Sequence, residues 1–332
     1  MKLLVITKQF GTYTGATIST LKLLQSLSKE FDMIEVLTLK SNIDAPEYIK
    51  LKCVKNVCSL YNTAKSYDKG YIGYSDDHLG FILGLVGIKY LHTYHGNWPD
   101  ARYLSLDFFI KSLILIPLYT LTIKNASVVV SVSEYMKKKF VYRRNSNTRV
   151  IYNGIMLSKS KSKIYKENVT SFLMVGNIDK RKYGEAIQIF KNLNVKDRTI
   201  KIDIYGSIVD QTVAKKLRKN KFVSIKGHRD TINYDNYDYL LNTSRSENLP
   251  VSIVESLKSG TPVISFNVGG ISEVINESSG ILIEKFDEYN YLKTIVNVIK
   301  YNKRIKVSRD QYSKFDWDYA AKEYLSEFTS ML

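Results

Sequence analysis

The stretch Ser244-Arg245-Ser246-Glu247-Asn248-Leu249-Pro250-Val251-Ser252-Ile253-Val254-Glu255, followed by Ser259-Gly260-Thr261-Pro262-Val263-Ile264, says most about how this chain folds. Pro250, with no amide to donate, suits the first position of a helix, and Gly260 suits the residue just past its end. Glu247 then lies in the loop before the helix and Glu255 five residues into it, roughly 7–8 Å along the axis from Pro250. Two carboxylates thus flank a helix N-terminus whose amides attract phosphate. A nucleoside diphosphate sugar fits this arrangement, with phosphate at the amides near Asn248 and Leu249, Glu255 at the ribose hydroxyls and Glu247 near the sugar.

Working outward, apolar runs of strand length alternate with segments of helical periodicity, the pattern of parallel sheets covered by helices. The expected strands are 2–6, 33–39, 71–74, 89–94, 127–131 and 149–152 in the first half, and 171–175, 199–205, 222–226, 238–242, 262–266 and 280–283 in the second. The first two strands enclose a helix with Ile18, Leu21, Leu24 and Leu27 on one face. Between the halves, Ser158-Lys159-Ser160-Lys161-Ser162-Lys163 has no periodic apolar face and reads as part of a linker, 157–168. A final amphipathic segment begins at Asp316.

A length of 332 residues agrees with two domains, and 44% hydrophobic with 24% charged residues is ordinary for a globular protein. The N-terminal apolar run turns polar at Thr7-Lys8-Gln9, too short for a signal peptide, so the expected location is the cytoplasm. Cys53 and Cys58 form no redox or zinc motif and are expected to be reduced thiols. The longest apolar stretch, 108–123, contains Lys111 and Pro117 and falls short of a bilayer span, so a buried or membrane-touching helix is expected. The formal charge of +17 favours anionic partners. From Lys137 to Lys166 there are ten basic residues and no acidic one, which points to an anionic membrane surface.

The Glu247–Glu255 stretch resembles the Glu-x7-Glu motif of the retaining, GT-B fold glycosyltransferases of family 4. Its setting between Ser-x-Ser and Gly-Thr-Pro-Val-Ile strengthens the likeness. Asn153-Gly154-Ile155, Ala126 to Ser133, Val268-Gly269-Gly270 with Glu273, Gly280-Ile281-Leu282 and Lys314-Phe315-Asp316-Trp317 are similar to other family segments in the expected order. The resemblance implies an α/β fold of two facing Rossmann-like domains with a donor and acceptor cleft between them. It assigns 1–156 to an acceptor-side domain, onto which a C-terminal helix, 316–332, packs back. It assigns 169–315 to a nucleotide-sugar-binding domain.

The same resemblance implies donor-binding roles for Lys182 and for Arg181, whose neighbour Asn177 stands where the family has an Arg. Loss of that fixed charge leaves Arg181 or Lys180 to compensate. Gly11 and Gly15 lie in the first strand–helix loop, where backbone can approach a ligand, and Gly15 is the favoured donor contact. His95, at a strand end before Gly96, resembles the family histidine near the reacting carbon, so it joins Glu247 as a catalytic candidate. Tyr94 and Trp98 are expected to line the acceptor cleft, and His228 with Arg229 to meet the base. Asp76-Asp77-His78 lacks a third separated ligand, so no metal and no cofactor is expected.

The expected activity is metal-independent, retaining hexosyl transfer from a nucleotide-diphosphate sugar, UDP-linked in preference to GDP-linked. The acceptor is a glycan or lipid-linked sugar, as in bacterial cell-surface polysaccharide assembly, at the inner face of the cytoplasmic membrane. A nucleotide-sugar epimerase or hydrolase on the same fold is the alternative, separable by product analysis with donor alone. Nucleic acid is not an expected partner, since no helix-turn-helix, zinc-finger or RNP-type signature accompanies the basic charge.

Overall fold

The computed structural model describes residues 1–96, 98–103, 106–155, 169–195, 199–229 and 231–332, with the backbone alone for Ala101, Phe140 and Val141. They divide into two compact units: unit 1 is Met1–Gly154 with Lys314–Leu332, and unit 2 is Ile155–Ser313. The expected linker, 157–168, lies outside the described residues.

Unit 1 holds β1 (Lys2–Phe10), β2 (Met33–Ser41), β3 (Lys50–Cys53), β4 (Tyr71–Ser75), β5 (Tyr90–Tyr94), β6 (Val128–Ser131) and β7 (Thr148–Val150). They pair in parallel in the order β3-β2-β1-β4-β5-β6-β7. Leu3, Leu4, Val5 and Ile6 are all fully buried, as a central parallel strand covered on both faces requires. Helix Gly15–Leu27 contributes Leu23, Leu24 and Leu27 to one core cluster, and the C-terminal helix Trp317–Ser330 adds Ala320, Tyr324 and Phe328 to it. The edge strand β3 gave no sequence signal, because Lys50-Leu51-Lys52-Cys53 buries no side chain and so has no apolar face.

Unit 2 holds β8 (Val169–Val175), β9 (Thr199–Tyr205), β10 (Val223–Gly227), β11 (Tyr239–Asn242), β12 (Val263–Phe266) and β13 (Gly280–Ile283). Their order is β10-β9-β8-β11-β12-β13, again parallel throughout. Each sheet therefore reverses its strand order once, between β1 and β4 in unit 1 and between β8 and β11 in unit 2. Crevices beyond the strand ends at such points are where open α/β sheets bind ligands.

Two expectations are corrected. Pro250 is the N-cap with extended backbone, and the helix runs Val251–Lys258, one residue later than expected. The apolar stretch 108–123 belongs to a 20-residue helix, Leu106–Asn125, with mean hydropathy 1.7 and 22% of its best window buried, so by length and composition it could cross a membrane. Its inner side is anchored to unit 1: Tyr119, Thr122 and Ile123 are buried, and the Tyr90 hydroxyl donates to the Thr122 carbonyl at 2.6 Å.

Candidate functional site

In unit 2, the loops after β8 and β11 meet at the switch point. Gly176 follows β8 with φ 135°, a glycine region, and a Cβ there would lie 2.8 Å from Lys182 Nζ. Only glycine lets the lysine side chain lie back over this loop. Asp179 caps helix Lys180–Lys191 by accepting from the Lys182 amide at 2.8 Å, which places Lys180, Arg181 and Lys182 in the first turn. From the loop after β11, Glu247 Oε1 comes to 3.1 Å from Lys182 Nζ and 3.7 Å from Arg181 Nη1. Arg181 also donates to the Ser246 carbonyl at 2.8 Å, and Thr243 Oγ1 donates to the Lys182 carbonyl at 2.8 Å.

Burial alone would raise the Glu247 carboxyl. Lys182 and then Arg181, helped by Ser244, outweigh it, and the net shift is downward, so Glu247 is ionised at neutral pH. The backbone of this loop is braced from β12: Gly270 N–H donates to the Asn248 carbonyl at 3.0 Å. A Cβ on Gly269 would fall 1.6 Å from the Glu247 carbonyl oxygen, and Gly269 has φ 63°. Pro250 offers no side-chain cap to helix Val251–Lys258, which leaves its positive end open to an anion. Glu255, on that helix, accepts from the Tyr234 hydroxyl at 2.6 Å, and burial raises its carboxyl despite this bond.

In unit 1, the ends of β1, β4 and β5 and the starts of two helices enclose a cavity of about 340 Å³. Asp76, Asp77, His78, His95, Trp98 and Tyr119 are among its lining residues. Burial lowers His95 to about 4, so its imidazole is neutral at physiological pH. Asp77 is occupied structurally: it accepts from the Lys8 amide, from Thr7 Oγ1 at 3.2 Å and from the Leu79 amide at 2.8 Å. Asp76, only 6% exposed, accepts from Thr20 Oγ1 at 2.6 Å through one oxygen, while its buried Oδ1 has no hydrogen-bond partner. Among the described residues, no group of three or more His, Cys, Asp or Glu side chains is arranged to hold a metal.

This architecture invites comparison with known proteins. The sequence profile "Glycosyl transferases group 1" matches residues 169–300, and "Glycosyltransferase Family 4" matches 73–159. The chain belongs to the group 1, family 4 glycosyltransferases. It is 25% identical to an uncharacterized glycosyltransferase of Methanocaldococcus jannaschii, over 83% of this chain and 80% of that one. It is 26% identical to protein CapJ of Staphylococcus aureus, over 70% and 68%. The fold is similar to the lipopolysaccharide outer core galactosyltransferase WaaB in its apo form, with TM-score 0.75, 16% identity and full coverage of both chains. HepE of Anabaena, solved with UDP and glucose, gives TM-score 0.76 at 16% identity over 99% of this chain and 100% of that one. The fold is therefore the GT-B fold.

For a glycosyltransferase of this kind, the expected residues fall into two groups. Unit 2 brings Glu247, Lys182 and Arg181 into direct contact, and Arg181 stands close to Glu247 while Asn177 is exposed. Asn248 and Leu249 are half-buried in the loop that leads to the uncapped helix, and Glu255 lies on that helix. His228 and Arg229 are exposed just after β10, and the Gly227 carbonyl before them accepts from Gly206 N–H at 3.0 Å at the same sheet edge. Unit 1 brings His95 and Trp98 to one cavity. Gly15 opens helix Gly15–Leu27, and a Cβ there would meet nothing within 4 Å; packing makes its demand at Gly11, where φ is 125° and a Cβ would lie 2.1 Å from Asn42 Oδ1.

Tyr94 is a correction. It is fully buried, its hydroxyl accepts from the Trp98 amide at 3.2 Å, and its ring packs 4.7 Å from Tyr119, so it supports the cavity wall and does not face a ligand. Tyr119 takes the lining position instead. The structure gives three further residues a place that the sequence did not: Asp76, read there only within the set rejected for a metal, Tyr234 behind Glu255, and Gly269 beneath Glu247. Gly269 stood next to a motif and was legible as a tight approach; Tyr234 gave no signal, because nothing in the sequence links it to a helix 17 residues on.

Proposed function

We propose that this protein is a retaining, metal-independent transferase that moves a hexosyl group from a UDP-sugar to a glycan or lipid-linked acceptor. The observation that carries this is the ionised Glu247, held by Lys182 and Arg181 beside an uncapped helix N-terminus. In this reading, the diphosphate takes the two cations and the helix amides, a GDP-sugar being the alternative donor. Glu247 then accepts from donor-sugar hydroxyls, and Glu255, steadied by Tyr234, accepts from the ribose. His95, neutral, hydrogen-bonds the sugar near the reacting carbon, and Gly15 leaves room for the donor. His228 and Arg229 serve the base.

The bond from the anomeric carbon to the acceptor oxygen forms as the bond to phosphate breaks, and the acceptor proton passes to the leaving phosphate oxygen on the same face. No base on the opposite face is needed, so the protein's contribution is positioning and charge stabilisation. We extend this reading to a role in cell-surface polysaccharide assembly; WaaB, which shares the fold, is a lipopolysaccharide outer core galactosyltransferase.

The site of action is the cytoplasmic membrane surface. Helix Leu106–Asn125 exposes Leu106, Ile110, Leu113 and Ile114 by more than half their area, and Phe109 nearly so. Lys137, Lys138, Arg143 and Arg144 are exposed nearby in sequence; Lys139 and Arg149 are instead in ion pairs with Asp100 and Glu327, and Lys159, Lys161, Lys163 and Lys166 lie outside the described residues. An exposed apolar helix face with basic company suits an anionic interface. The test of the catalytic reading is a thermal-shift screen over UDP-, GDP-, ADP- and dTDP-sugars, followed by NMR of the product anomer. Stabilisation by none of them, or an inverted product, overturns it.

A further inference from the structure

The loop that carries Glu247 has a second ionic tie, two residues earlier in the chain. Arg245 Nε donates to Glu185 Oε1 at 2.6 Å, the short distance of a hydrogen bond between charged groups. Its guanidinium lies 5.4 Å from the centroid of the Phe286 ring, which Lys285 Nζ also approaches at 5.0 Å. Glu185 stands on helix Lys180–Lys191, one turn beyond Arg181 and Lys182, and is 6% exposed. One helix therefore meets the loop twice, with the charges reversed: its first turn offers cations to Glu247, and its second offers an acid to Arg245. Main-chain groups join the two contacts. Arg245 N–H donates to the Arg181 carbonyl at 3.0 Å, and the Arg181 side chain donates to the Ser246 carbonyl at 2.8 Å.

The groups around Arg245 are themselves held in place. Phe286 has φ 66°, a region that a bulky residue keeps only where its surroundings over-determine it, and its ring packs edge-on to Phe266 of β12 at 6.3 Å between centroids. Glu288, at the start of helix Glu288–Lys300, shares a hydrogen bond with Glu185. That bond, then burial, pushes the Glu288 carboxyl up to about 7, and the same bond, with Arg245, lowers Glu185. Glu288 thus carries the shared proton below neutrality, and the charge on Glu185 faces Arg245. Because the Arg245 side chain is 48% exposed, the ion pair adds little to global stability. Its effect is local: the loop is held at two points on the helix instead of one.

We propose that Arg245, held by Glu185 and Phe286, is a positioning residue that keeps the Glu247 loop in register with helix Lys180–Lys191. Its bearing on turnover rests on the part given to Glu247 above, whereas the register itself is measurable without substrate.

The test follows the Glu247 carboxyl by NMR of the full chain labelled at its glutamate carboxyl carbons, the signal being assigned by its loss in Glu247→Gln. In the wild type it titrates below its ordinary 4.5. Arg245→Met keeps an apolar stem over Phe286 and loses the charge. The titration then moves upward, because Lys182 and Arg181 no longer meet Glu247 in register and burial prevails. Glu185→Gln gives the same upward shift from the other partner, and Arg245→Lys, which retains a cation, returns the titration toward the wild-type value. Melting temperatures followed by circular dichroism stay within about 4 °C of wild type, the most that a half-exposed pair carries. A Glu247 titration unchanged in either folded variant overturns the proposal, and so does a larger loss of melting temperature or of the fold, which makes the pair a general support. UDP-sugar thermal shifts on the same samples separate the two readings. Stabilisation by a UDP-sugar with an unmoved Glu247 titration leaves the donor assignment standing and removes the role of Arg245; a shifted titration without stabilisation by any nucleotide sugar keeps the register and removes the donor assignment.

Discussion

Asp76→Asn should stabilise unit 1, and increasingly so as pH rises. Burial, then the neighbouring Asp77, raise the Asp76 carboxyl from 3.8 to about 7. In the unfolded chain the group loses its proton near pH 4, whereas the folded protein keeps it until about pH 7. The unfolded state therefore binds fewer protons across this window, and stability falls with pH between the two values. At about 1.36 kcal/mol per unit, the full shift of about three units costs roughly 4 kcal/mol above pH 7, and roughly 2–3 kcal/mol of that is lost between pH 5 and pH 8. Asparagine does not titrate, so the difference between variant and wild type isolates this term. Both tryptophans, Trp98 and Trp317, lie in unit 1, so urea unfolding followed by their fluorescence reports the relevant unit. The expected result is that the variant gains about 2–3 kcal/mol over wild type on going from pH 5 to pH 8. A difference that stays constant across this range would refute the reasoning, because a carboxyl with an ordinary folded-state pKa produces no such slope.

Four further outcomes are expected. Glu247→Gln should cut turnover about 100-fold or more while nucleotide binding survives, and Glu255→Ala should chiefly weaken nucleotide binding, about tenfold; donor thermal shifts and initial rates read the two effects separately. Gly269→Ala should abolish turnover in a protein that still folds, since the added methyl displaces the Glu247 backbone and a shift of about 1 Å costs on the order of 100-fold; wild-type rates from the alanine variant would contradict the close approach. Activity should survive EDTA, and loss that manganese or magnesium restores would contradict the metal-independent reading. In vesicle co-sedimentation, binding should require anionic lipid and fall with salt, and neutralising Lys137, Lys138, Arg143 and Arg144 should remove up to about 1 kcal/mol per residue; equal recovery with neutral vesicles would sink the electrostatic part.

What could be read in the sequence follows the physics of each feature. Parallel strands buried on both faces are continuous apolar runs, so twelve of the expected strands coincide with β1, β2 and β4 to β13 to within a few residues. The thirteenth, β3, is a polar edge and carries no such signal. Glu247, Glu255, Lys182 and Arg181 were legible because capping residues, glycines and a motif surround them. Tyr94 was misplaced because an aromatic at a strand end reads alike whether it faces a ligand or the core; alternation in β5 could not decide it, since all five residues of that strand are buried. The exposure of helix Leu106–Asn125 was equally hidden, because its apolar residues run around most of the helix and give no face to assign.

The two switch points carry carboxylates whose environments drive them in opposite directions. Glu247 lies among cations and is held below its usual value; Asp76 is buried beside another acid and is pushed up. Titratable groups separated in this way ordinarily have different chemical work. A carboxylate already paired with Lys182 and Arg181 fixes the position of both cations, and it stays ionised while doing so. The two sheets thus set their buried carboxyl groups apart: unit 2 surrounds Glu247 with cations, and unit 1 raises Asp76 toward neutrality through burial and a neighbouring acid.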